Sequence, residues 1–403
     1  MAEMAAAGQP SSPSSFELAS GKSLEWNALR ACVSACVGGD GDSLAAFAGR
    51  CDWNGLLDLA ERHAVVPLLA AAVQRLPGEL VPPAIRTHLA ERTRAQVLVT
   101  LRMSAELLRI TQAFAAGGVG VLAVKGPALA LEGYGDAAMR SYGDLDLLVR
   151  DGDIARATQL MLDAGYDAEI PLHAIAAGKI PGQYSFRRRD AGLLVELHND
   201  RTMRYYPRTL PIETWFARAT RVRLEDREIP TPAREHHLIL VCVHGAKHFW
   251  ERLLWIADVA ALASHGAGQA ALRWELVAQS AKEAGAETML HGGLLLAAQV
   301  LQARLPAEIL ARARADAAAR AMTEQVARWL PEAGEPAPGL LGRALFRARM
   351  RGGGASGARY FLRLLFSPTE EDWDAAAREP GSFLDVVKRP FRLAKKHGAG
   401  GKR

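Results

Sequence analysis

Three acidic residues in two short apolar runs are the part of this 403-residue sequence best placed to do chemistry. Asp144 and Asp146 open the run DLDLLV, and Glu196 lies inside LLVELH. Side chains alternate between the two faces of a strand. Asp144 and Asp146 therefore share one face, while Leu145 and Leu147 point into the core. Two carboxylates held side by side repel unless something positive stands between them. A divalent ion is the usual answer, and Mg²⁺ prefers one or two carboxylates together with phosphate oxygens. An isolated Asp-x-Asp is more often a solvated strand end, so the weight falls on what surrounds the pair.

Lys125-Gly126-Pro127 precedes the pair and follows the apolar run 119–124. Proline suits the first position of a helix, and glycine lets the backbone turn and approach a ligand closely. A strand feeding such a helix start offers free N–H groups and the positive end of a helix dipole to an anion. Lys125 adds a full charge there. An ordinary strand–helix junction with a lysine reaching to water is the bland alternative.

The third acid follows a hairpin signal. Runs 183–189 and 193–198 flank Asp190-Ala191-Gly192, a short glycine-containing loop. Glu196 and His198 share a face opposite Val195 and Leu197, so Glu196 is expected to meet Asp144 and Asp146 across the sheet. Three acids on neighbouring strands beside a phosphate-binding turn form a two-metal phosphoryl-transfer constellation.

The segments KGPALALEGYGDAAMRSYGDLDLLV and VELH, with HGAKHFWERLLWIADVAAL further on, resemble the uncharacterised nucleotidyltransferase family of the DNA polymerase β-like superfamily. The resemblance runs from about residue 119 to 265. It implies an α+β fold, a nucleotidyltransferase-type mixed β-sheet with helices, flanked by N- and C-terminal helical regions. It also implies transfer of a nucleoside monophosphate from an NTP to a hydroxyl acceptor, with Mg²⁺ or Mn²⁺ as cofactor. Asp144, Asp146 and Glu196 take the catalytic and metal positions, and Lys125, Gly126 and Arg140 the nucleotide-binding ones. His198, His244, Lys247, Trp255 and Asp258 are the substrate-contacting candidates. Two departures stand out. The superfamily's serine after glycine is absent, with Lys125-Gly126-Pro127 in its place. The interval from Gly126 to Asp144 is long for the superfamily and holds Tyr134-Gly135-Asp136 and Arg140. A non-catalytic nucleotide- or ligand-sensing module on the same fold is the alternative. The missing serine favours it, and the complete set of acids opposes it.

The elements that must hold these residues follow from composition and punctuation. A hydrophobic fraction of 49% is that of a globular chain long enough to bury a large core. The net charge of +5 is small for this length and does not by itself argue for nucleic acid, and the scattered arginines without a contiguous basic groove make nucleic acid an unexpected partner. Residues 1–20 are rich in Ser, Pro and Gly and read as a disordered tail, without the basic-then-apolar order of a signal peptide. No run has the length and apolarity of a membrane span. The four cysteines show no zinc spacing and read as reduced thiols in a cytoplasmic protein.

Residues 21–116 read as an N-terminal helical bundle, with a cap near Asp52 and a long helix over 84–116. The transferase domain is expected over 117–232. Within it, 166–170 reads as a short strand and 221–229 as an edge strand. The basic run Arg187-Arg188-Arg189 fits either phosphate contact or a charged strand edge. Residues 233–330 read as a helical domain opening after Thr231-Pro232, with helices over 236–249 and 253–263. His244 and His248 have zinc-clamp spacing, but Gly245 stands where a metalloprotease needs its glutamate. Residues 331–403 read as a linker and a basic C-terminal segment, more often a solvated tail than a docking element.

Overall fold

Alternating apolar residues and glycine punctuation turn the middle of the chain into a sheet, with helices on either side of it. The structure, a computed structural model, describes residues 23–39, 44–176, 182–199, 210–264, 271–332 and 340–351. The expected tail over 1–20 and nearly all of the C-terminal basic segment lie outside the described residues.

Five helices come first: α1 (Leu24–Cys36), α2 (Ala45–Ala48), α3 (Trp53–Arg62), α4 (Val66–Gln74) and α5 (Pro83–Ala116). Asp52 caps α3 by accepting from the N–H groups of Asn54 and Gly55. Then follow β1 (Val121–Ala123), α6 (Gly126–Tyr134), β2 (Asp144–Val149), α7 (Ile154–Asp163), β3 (Tyr166–Ala168), α8 (Leu172–Ala176), β4 (Gln183–Arg188) and β5 (Leu194–His198). The chain continues through α9 (Ile212–Ala217), β6 (Thr220–Leu224) and β7 (Arg227–Thr231). It ends in α10 (Arg234–Lys247), α11 (Leu253–Ala263), α12 (Trp274–Ala284), α13 (Glu287–Leu301), α14 (Ala307–Ala315), α15 (Ala317–Trp329) and α16 (Leu340–Arg349). The result is α+β, with a mixed sheet and flanking helices. No helix among the described residues is long and apolar enough to cross a membrane.

The five-stranded sheet has the order β1-β2-β5-β4-β3. β2 and β5 run parallel, and the other neighbours run antiparallel. One face carries Leu145, Leu147, Val149, Val195 and Leu197 into a core with Met103, Leu107 and Ile110 of α5 and Ala157 and Met161 of α7. The other face carries Leu122 and Leu148 into a second core, shared with α10, α11 and α13. By strand alternation Asp144, Asp146, Glu196 and His198 lie on this second face, toward α10.

Two strand expectations need correction. Residues 221–229 do not form one edge strand. They fold back as the β6–β7 hairpin, with Leu224 paired to Arg227 and Glu225 in the left-handed region at φ 57°. Alternation is the same in two hairpin arms as in one strand, and no glycine marks this turn. β3 stops at Ala168, short of Ile170, although the Glu169 N–H still donates to the Ser185 carbonyl at 2.9 Å.

Candidate active site

Lys125 sits where β1 becomes α6. It is the N-cap of α6 with extended backbone, and Gly126 follows at φ 58°, a conformation that glycine adopts without strain. No side chain caps the first turn of α6. A Cβ on Gly126 would stand 3.5 Å from the Asp144 carbonyl oxygen, so the turn is seated directly on β2. The Val124 N–H also donates to the Asp146 carbonyl at 3.0 Å.

The parallel register of β2 and β5 sets Asp146 directly beside Glu196, and Leu148 beside His198. Asp146 is 2% exposed, which is expensive for a carboxylate without partners. Its Oδ1 accepts from Lys125 Nζ at 2.7 Å and is 2.8 Å from His198 Nε2. His198 Nε2 is also 3.4 Å from Glu196 Oε2. Two acids thus share two basic groups. Burial pushes the Asp146 carboxyl up, but Lys125 and His198 outweigh it and hold it below the usual carboxylate range. Burial also opposes the charge on Glu196, where His198 prevails and lowers the pKa. Burial disfavours charge on His198 too, and the two acids nevertheless raise its pKa. Asp144, one pleat away, goes the other way: burial first, and then the charge of Asp146, raise its carboxyl.

Ligand atoms of Asp146, Glu196 and His198 all lie within 4.8 Å of one another. Asp146 Oδ2 is buried and has no hydrogen-bond partner, as does His198 Nδ1. An orphaned carboxylate oxygen inside a three-ligand group fits a divalent cation. The carboxylates suit Mg²⁺ or Mn²⁺, and the imidazole is the softer donor of the set. Asp144 is outside that 4.8 Å group, although the charges of Asp146, Lys125 and Glu196 all act on it.

A narrow cleft opens beside the group. Lys125, Glu196, His198, Gln183, His244 and Lys247 line it, over an apolar floor that includes Leu148 and Leu240. His244 and Lys247 thus share a cleft with Glu196. Trp255 stands beside them: its ring is T-shaped to His244 at 5.8 Å and stacked on His248 at 5.0 Å. Burial, and then Lys125, drive the His244 pKa well down; burial and Lys247 bring His248 to about 3. Both rings are therefore neutral near neutral pH.

Arg140 and Asp258 are engaged with each other. Arg140 Nε and Nη2 donate to the two Asp258 oxygens at 2.8 and 2.9 Å, and Tyr134 Oη donates to Oδ1 at 2.9 Å. Both residues are buried, and neither lines the cleft. The basic run is likewise taken up by acids. Arg187 pairs with Glu169, Arg188 with Glu106 and Asp190, and Arg189 with Asp167. Sequence reasoning missed the ligand-like place of His198, the ring stack of His248, and Gln183. Strand alternation already put His198 on the acid face, which was the available signal for it.

No curated protein matches the chain. A family model does, over residues 50–302, well over half of the length. The match takes in α3 through α13 and so reaches beyond the motif-bearing segments on both sides. With its acids, turn and mixed sheet in place, the chain belongs to the family described as uncharacterised nucleotidyltransferase.

Proposed function

We propose that the chain moves a nucleoside monophosphate from an NTP to a hydroxyl acceptor, releasing pyrophosphate. One observation carries this reading: Asp146 lies beside Glu196 in register, with an orphaned oxygen, next to a lysine at an uncapped helix start. Asp146 and Glu196 would hold a divalent ion, Mg²⁺ or Mn²⁺, with Asp144 beside them and His198, once neutral, as a further donor. The ion, when bound, neutralises phosphate charge and helps align the reacting oxygens in line.

The chain's own residues do the rest. Lys125 and the first turn of α6 receive the β- and γ-phosphates. Nucleotide binding draws the Lys125 ammonium from Asp146 toward phosphate, which leaves Asp146 Oδ1 with His198 as its remaining partner. Glu196, held ionised by His198, accepts the proton of the acceptor hydroxyl. His244, Lys247 and Trp255 form the wall that meets base or acceptor, with the rings for stacking. Arg140 and Asp258 act from behind, tying the segment before β2 to α11.

The test is incubation of the full chain with each α-labelled NTP, Mg²⁺ or Mn²⁺, and a cell extract. A labelled product with pyrophosphate release is expected, and Asp146→Asn should give neither. The contact of Lys125 with Asp146 also fits a sensing module, in which the ammonium permanently takes the ion's place. NTP binding without a product, and without divalent dependence, would establish that second reading.

A further inference from the structure

β1 is an edge strand with β2 as its sheet neighbour, yet it is buried. The Ala123 carbonyl on its open side and the Val124 carbonyl just past its end need partners. Two side chains supply them. Thr231 Oγ1 at the end of β7 donates to the Ala123 carbonyl at 2.8 Å. His237 Nε2 on α10 donates to the Val124 carbonyl at 2.5 Å. The other ring nitrogen, Nδ1, lies 2.6 Å from the Glu132 carboxylate on α6. The His237 ring is fully buried.

Each nitrogen faces an acceptor, and a neutral imidazole has a single N–H. One ring ties the end of β1 to the second turn of α6. Lys125-Gly126 lies between the two tied points. The Val124 N–H is bound to Asp146 from the other side. The turn is thus fixed to the acid strand through one group of Val124 and to α10 through the other.

We propose that His237, with Glu132, is the positioning residue of the Lys125 turn. It does not touch the phosphates. It sets where the ammonium and the free N–H groups of α6 stand relative to Asp146. This rests on the reading of Lys125 as the phosphate-binding group.

The test measures NTP and Mn²⁺ dissociation constants separately on the full chain. The variants are His237→Phe, His237→Gln, and each of these with Lys125→Ala. His237→Phe is expected to weaken NTP binding about ten- to a hundredfold, with Mn²⁺ binding changed by less than about twofold. His237→Gln keeps one donor and should recover part of the loss. In the Lys125→Ala background the His237 substitutions should add little, because both losses run through one turn. Additive losses, or an equal loss of Mn²⁺ binding, overturn the proposal. Hydrogen exchange over residues 124–129 gives a readout that needs no nucleotide, and His237→Phe should accelerate it beyond the rest of the sheet. If the unaltered protein binds no NTP, the nucleotide reading fails. Exchange then decides the positioning claim, and an unchanged rate sinks it. Should His237→Phe not fold, Glu132→Ala releases the ring without emptying its site and is read in the same way.

Discussion

Two acids on one strand face, two residues apart, have opposite energetics. Asp146 is ionised at a profit, because Lys125 and His198 lie on its Oδ1 at 2.7 and 2.8 Å. Asp144 is ionised at a cost, since burial and Asp146 raise its carboxyl. The consequence for stability follows from linkage. A carboxyl whose folded pKa is lowered contributes above its unfolded value, and one whose folded pKa is raised detracts there. In metal-free buffer at neutral pH, Asp144→Asn is expected to leave the urea midpoint unchanged or raise it. Asp146→Asn should lower it, with a loss of about 3–5 kcal/mol in unfolding free energy, the usual cost of removing one partner of a buried pair. Asp146→Asn should abolish divalent binding, and Asp144→Asn should weaken it. Equal effects of the two substitutions on the urea midpoint would mean that Lys125 and His198 do not discriminate between the acids. The types and the shared face of these residues were legible in the sequence, because alternation is local. The pairing of Lys125 with Asp146 was not, because it depends on β1 lying next to β2.

At the scale of elements, the site is a junction of three pieces: the β1–α6 turn, the parallel β2–β5 pair, and the α10–α11 helices. The buried Arg140–Asp258 pair joins the segment before β2 to α11. Arg140 carries its charge in the interior because the Asp258 carboxylate meets it with two hydrogen bonds and offsets the cost of burial. Asp258→Ala leaves that charge unpaired. A loss of about 3–5 kcal/mol is expected, and replacing both residues by apolar ones of similar size should restore most of it. Thermal or urea unfolding checks this. A single variant with unchanged stability and altered NTP binding would instead return Arg140 and Asp258 to the ligand. Sequence reading found the helices of this junction because Pro232 and the apolar runs mark them. It set Arg140 and Asp258 against ligand because each charged type alone suggests one. Only the fold brings the two to within 3 Å. The β6–β7 hairpin was misread for a related reason: its turn uses Glu225 at positive φ, where composition gives no glycine to flag it.

At the scale of the whole molecule, the N-terminal and C-terminal helices share one core. It runs from Trp26 and Leu29 of α1 to Phe346 of α16, and it takes in Leu122 and Leu148 of the sheet. Helix boundaries within each region were readable from propensity and proline. That the two regions pack together was not, since no local pattern encodes a contact between residues hundreds of positions apart. Two histidines sit in this packing as neutral rings. His63 Nδ1 accepts from the Leu253 N–H at 3.0 Å and so caps α11 from α3's C-terminal end. His236 stacks on Trp215, with ring centroids 5.0 Å apart and planes at 4°, and neither of its nitrogens has a partner. Burial, then nearby arginines, bring His63 to about 3. Burial and Arg218 bring His236 to about 4, against the weaker pull of Glu235 and Glu283. The unfolded chain therefore binds more protons than the folded one below the ordinary histidine value. Stability from these groups is fully present above about pH 6.5 and is lost as pH falls toward the folded values. At pH 5 the loss is on the order of 2 kcal/mol for each. His236→Phe keeps the stack, removes two unsatisfied nitrogens, and cannot be protonated. It is expected to be as stable as the unaltered protein or more so at pH 7.5, and clearly more stable at pH 5. Urea midpoints at the two pH values decide the matter. If the variant keeps the full acid sensitivity of the unaltered protein, His236 is not one of the groups that loosen the core in acid.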